Sequence, residues 1–105
     1  MTWVKTKEGK YINLDMTEHI SVERVIDQDT GIKGTVLVFE TGSCTIVEVY
    51  DEDIRVMEIA VEEMLAMTRA RLALIYFENV LDLARRIRKS EKATKAEKQE
   101  SQNSK

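Results

Sequence analysis

"RLALIYFENVLDLARRIRKSEK", residues 71–92, is the stretch on which the fold turns. Within it, Leu72 to Phe77 runs six residues without a polar break. A surface helix of a small protein is wet on one side, so a segment apolar all round needs two covering surfaces. Helix formers extend on both sides of it, from about Asp51 to Lys98, with no glycine or proline between. A continuous helix of about 40 residues would be about 60 Å long, whereas a domain of this size has a radius of gyration of about 13 Å. The helix therefore projects, or it turns back near Met67 to Arg71.

Counting about 100° per residue from Met57 separates two apolar stripes. Ile54, Met57, Val61, Met64, Leu65, Leu72 and Ile75 share one face. Ala73, Tyr76, Phe77, Val80, Leu83, Ala84 and Ile87 share another, displaced by about 120°. Drift against a heptad repeat is only about 20° per heptad and does not explain the swing. The first stripe suits the chain's own sheet. Ala73, Phe77, Val80, Ala84 and Ile87 carry the 4-3-4-3 spacing of a helix seam, and leaving them wet with Tyr76, Leu81 and Leu83 would expose a large apolar patch. Residues 73, 76, 77, 80, 81, 83, 84 and 87 are thus the expected homo-oligomer interface. The alternative is an αα-hairpin within one chain, with Thr68 capping a second helix.

Upstream the period changes. All four glycines lie in the first 42 residues and punctuate strands. "TWVKT" and "YINL" flank a "KEGK" turn, "HISVERVI" alternates, and "TVLVFE" and "CTIVEVY" bracket a "TGS" turn. The last two are apolar on both faces, as in strands covered twice. "DED" at 51–53 favours a helix start, with Asp51 as the N-cap. The expected fold is α+β: an antiparallel meander of about five strands, then one long C-terminal helix or two consecutive helices. It forms a single domain over 1–98, with sheet in 1–50, helix in 51–98 and a disordered tail at 99–105.

Composition narrows function. The chain has 105 residues, one third of them charged. It contains no apolar run of about 18 residues that would cross a membrane, and its beginning lacks a signal-peptide pattern. One cysteine precludes an internal disulfide and suits a reducing, cytoplasmic setting. Residues 1–68 hold 6 Lys/Arg against 14 Asp/Glu, and residues 69–105 hold 10 against 5, so −8 and +5 make up the net −3. An acidic head and a basic tail attract each other between molecules, or the tail seeks an anionic partner.

Catalytic and metal patterns are absent. His19 is the single histidine, too few for a zinc site, and nothing joins it to Cys44. "DQDTG" at 27–31 resembles the start of a calcium loop, but Val38 stands where the bidentate glutamate belongs. No phosphate-binding glycine motif occurs. No cofactor or metal and no enzymatic activity are expected.

Two other binding readings remain. Arg55, Arg69 and Arg71 with Tyr76 suit a nucleotide-like anion in a cleft between protomers. Arg85, Arg86, Arg88 and Lys89 suit phosphate contacts, although the acidic head weighs against a broad nucleic-acid footprint. The leading expectation is a non-enzymatic homo-oligomer acting on another macromolecule, in the manner of a phage or mobile-element accessory protein.

Overall fold

The structure is a computed structural model that describes residues 1–26, 28–31 and 33–103, with side chains through Lys95. The period-2 segments become strands. β1 (Trp3–Lys5) and β2 (Tyr11–Asn13) pair antiparallel across a turn where Gly9 takes φ +82°, a conformation that side chains resist. Val4 and Ile12 face each other and are buried, while Trp3 and Tyr11 point the other way. A 3₁₀ turn at Leu14–Met16, with the Asn13 carbonyl oxygen Oδ1 accepting from the Asp15 amide, leads into β3 (Thr17–Ile26). β3, β4 (Lys33–Thr41) and β5 (Thr45–Tyr50) then form an antiparallel meander in that order. Asp27, in the "DQDTG" stretch, lies outside the described residues.

The α+β class stands, with the strands divided differently from a single meander. A sixth strand, β6 (Leu74–Tyr76), pairs parallel with β1, so β2-β1-β6 is a second three-stranded sheet. Half of the apolar run "LALIYF" is therefore extended. Its core residue Ile75 sits opposite Val4, and the Trp3 amide donates to the Ala73 carbonyl at 2.9 Å.

β6 divides the helical region. α1 (Ile54–Arg69) is capped by Asp53 rather than Asp51: the Asp53 carboxylate accepts from the Arg55 amide. α1 ends at Ala70. The Arg71 amide donates to the Thr68 carbonyl at 3.0 Å and the Leu72 amide to the Met67 carbonyl at 3.4 Å. Together with Arg71 at φ +61°, this is the Schellman arrangement, with arginine where glycine is usual. Thr68 caps nothing downstream; its hydroxyl donates back to the Met64 carbonyl at 3.0 Å. α2 (Phe77–Asn103) follows β6 directly. Its backbone continues into the expected tail, of which Ser104 and Lys105 lie outside the described residues.

The turn folds α2 back onto α1, and both helices help to enclose one core with the sheets. α1 buries Val56, Met57, Ile59, Ala60 and Met64, a broader face than the expected stripe because it meets both α2 and the antiparallel sheet. Leu65 and Leu72 stay exposed. α2 contributes Phe77, Val80, Leu81 and Ala84, with Ile87 at the margin. Full burial of one such large apolar side chain is worth about 1.5–3 kcal/mol, so the hairpin is held by packing that the chain supplies itself. The molecule is elongated, with a radius of gyration of 16.3 Å and extents of 57 × 41 × 20 Å.

Candidate functional site

The expected oligomer stripe does not survive as one exposed surface. Phe77 and Ala84 are wholly enclosed, Val80 and Leu81 nearly so, by the chain's own core. Ala73 and Tyr76 are exposed, and Leu83 and Ile87 are half-buried. The correction follows from the turn at Arg71, which brings α1 over the face that a projecting helix would have left bare.

The four residues proposed for a nucleotide-like anion are likewise not gathered into one cleft. Arg55 lies in the first turn of α1 and Arg69 in its last, about 21 Å apart along the axis. Arg55 donates to Glu91 on α2 at 2.9 Å and approaches Glu62 at 3.8 Å. The hydrogen bond to Glu91 raises the guanidinium pKa further and lowers that of the Glu91 carboxyl. Arg69 and Arg71 are exposed and form no ion pair among the described residues.

The basic helix is partly engaged. Arg85 binds Glu52 through Nε at 2.6 Å and Asp82 through Nη1 at 2.7 Å, and its pKa is raised chiefly by the Glu52 bond. Arg88 lies 3.7 Å from Asp53 and 3.4 Å from Glu91. The acidic entry to α1 and the basic face of α2 therefore attract each other inside one chain. Arg86 and Lys89 are exposed and form no ion pair among the described residues.

Two sheet faces carry the exposed apolar surface. On the meander, strand register places Val36, Val38, Val47 and Val49 together on the side away from Leu37 and Phe39. Val36 and Val38 are half-buried, and Val47 and Val49 are 49% and 57% exposed. Val25 extends the patch on β3. The both-sided apolar pattern of β4 and β5 is thus covered once within the chain. On the small sheet, Trp3, Lys5, Tyr11, Asn13, Leu74 and Tyr76 form the outer face by the same register. The Lys5 ammonium stands 5.8 Å from the ring centroids of both Tyr11 and Tyr76. Alternation in "TWVKT" and "YINL" already aligns Trp3 with Lys5 and Tyr11 with Asn13; only β6 adds Leu74 and Tyr76.

A buried polar pair lies behind these faces. Glu48 is wholly enclosed and accepts from the Tyr50 hydroxyl at 2.7 Å, while its Oε2 has no hydrogen-bond partner among the described residues. Burial, followed by the bond to Glu48, holds the Tyr50 phenol well above its ordinary pKa. The Lys7 ammonium lies over the Tyr50 ring at 4.3 Å and donates to the Val49 carbonyl, tying the β1–β2 turn to the end of β5.

His19 is exposed on β3, and Cys44 is exposed in the β4–β5 turn, its thiol 3.3 Å from the Thr41 hydroxyl. Among the described residues no group of three potential metal ligands occurs, and no helix is long and apolar enough to cross a membrane. Comparison with protein-family models, curated proteins and solved structures finds no match.

Proposed function

We propose that the protein is a non-catalytic binding module that self-associates through the valine face of its antiparallel sheet and acts, as an assembly, on another macromolecule. The supporting observation is the cluster of Val36, Val38, Val47 and Val49, flanked by Val25 and covered by neither helix. β-Branched residues on a pleated face make a flat apolar surface, and a second copy of the same face removes it from water. The four expected interface residues enclosed in the core, Phe77, Val80, Leu81 and Ala84, take no part; their role is to join α2 to α1.

Light scattering on the wild type and on a Val47→Asp/Val49→Asp variant tests this reading. The wild type is expected at a multiple of 12.1 kDa and the variant at 12.1 kDa with unchanged circular dichroism. A wild type that remains a lone chain at high concentration overturns it. Phe77→Asp/Val80→Asp serves as the contrast: it places charges in the core and is expected to unfold the chain rather than separate folded copies.

A further inference from the structure

We infer that the outer face of the β2-β1-β6 sheet is a stacking platform for single-stranded RNA. This goes beyond the self-association reading and rests on a different surface.

Three aromatic rings stand on a sheet of only nine residues, and all three are accessible: Trp3 is 38% exposed, Tyr11 56% and Tyr76 48%. Lys5 sits between the tyrosines because it is opposite both, Tyr11 on β2 and Tyr76 on β6. Adjacent strands are about 4.8 Å apart, which places the two tyrosine positions about 10 Å apart with the cation between them. Two unstacked bases can lie on the two rings while an intervening phosphate meets the ammonium. Trp3, one row along, offers a third ring. Base–aromatic stacking of this kind accepts any base, since each has a π face, but requires bases released from a duplex.

Charge complementarity favours an anionic occupant. None of the six outward residues is a carboxylate, although the chain as a whole is acidic at −3. Of the β1–β2 hairpin's cations, Lys5 stands on the face itself, while Lys10 pairs with Glu8 at 3.3 Å and Lys7 turns to the end of β5. The turn that leads into β6 carries Arg69 and Arg71, both exposed and in no ion pair among the described residues. A two-fold contact through this face would set two cationic surfaces against each other. A proline-rich peptide would use the rings and leave the cations idle. Asn13 favours RNA over DNA: its Oδ1 is occupied by the Asp15 amide at 3.0 Å, which leaves its NH₂ group as a donor for a ribose 2′-hydroxyl.

Trp3 is the chain's one tryptophan and reports directly on the face. The full chain is titrated with a short oligouridylate at low salt, and Trp3 emission is read beside the anisotropy of a labelled strand. Expected are quenching of Trp3, saturable binding, and an affinity that falls with salt by about 0.7 log units per log of salt for each phosphate neutralised. Tyr11→Ala and Tyr76→Ala, both at exposed positions, are each expected to weaken binding about five- to a hundredfold. Lys5→Gln is expected to lower the salt slope. Several results overturn the inference: no binding at low salt, binding that survives Tyr11→Ala/Tyr76→Ala in a chain folded by circular dichroism, binding abolished by Arg86→Ala/Lys89→Ala alone, or equal affinity for the matching deoxy strand.

Discussion

The Tyr50 hydroxyl donates to the Glu48 carboxylate at 2.7 Å within the core, and among the described residues this is the single hydrogen bond that either Glu48 oxygen receives. A buried carboxyl with one unpartnered oxygen is costly, and removing its remaining partner costs more than replacing both residues by apolar ones. Tyr50→Phe is expected to destabilise by about 1–3 kcal/mol, because it leaves the carboxyl without a donor. Glu48→Met/Tyr50→Phe is expected to return to wild-type stability or exceed it. Urea midpoints for the two singles and the double decide the matter; strictly additive losses would rule out the coupling.

Arg71 holds a left-handed backbone at φ +61°, which costs a non-glycine residue about 1–2 kcal/mol. Glycine there relieves that strain but adds freedom to the unfolded chain worth about 0.4–1 kcal/mol. Arg71→Gly should therefore stabilise the fold by up to about 1.5 kcal/mol. Arg71→Val should destabilise it, since a β-branched residue resists positive φ most. Thermal melts of both variants check the sign, and a lower melting temperature for glycine would contradict the Schellman assignment.

Asp53, not Asp51, supplies the acceptor at the start of α1. Asp53→Ala is expected to cost about 1 kcal/mol, while Asp51→Ala, at an exposed position before the cap, is expected to stay within about 0.5 kcal/mol of wild type. Guanidinium unfolding of the pair measures the difference. Equal losses would mean that the cap is shared.

The Arg55–Glu91 bond joins the start of α1 to α2, and Arg55 holds the Glu91 carboxyl below its ordinary value of 4.5. A carboxyl depressed in the folded state adds stability above that ordinary value and loses it as the pH falls toward the folded one. Glu91→Gln is therefore expected to make stability fall less steeply as the solution is acidified below about pH 5. At neutral pH and high salt the variant is expected to differ little from wild type, because an exposed pair is screened. Stability measured across that acid range tests the sign; an unchanged acid limb would exclude Glu91 from it.

Much of the architecture depends on short-range pattern and is readable in the residues. Five strands follow from alternation and from turns such as the one at Gly9, and the breaker-free second half reads as helical. The outward sides of β1 and β2, with Trp3, Lys5 and Tyr11, follow from the same alternation.

Three features were settled only when distant parts of the chain met. β6 exists because Leu74–Tyr76 finds β1 some 70 residues away, and no local period distinguishes it from the helices around it. The turn at Arg71 carries an arginine where glycine would have marked it, so packing of α2 on α1 outweighs a backbone penalty that sequence patterns treat as prohibitive. Which apolar surface stays bare was also decided in three dimensions: the folded-back helix encloses Phe77, Val80 and Ala84 and leaves the valines of β4 and β5 facing water. Periodicity states that a face needs covering, but the partner that covers it is chosen by long-range packing free energy.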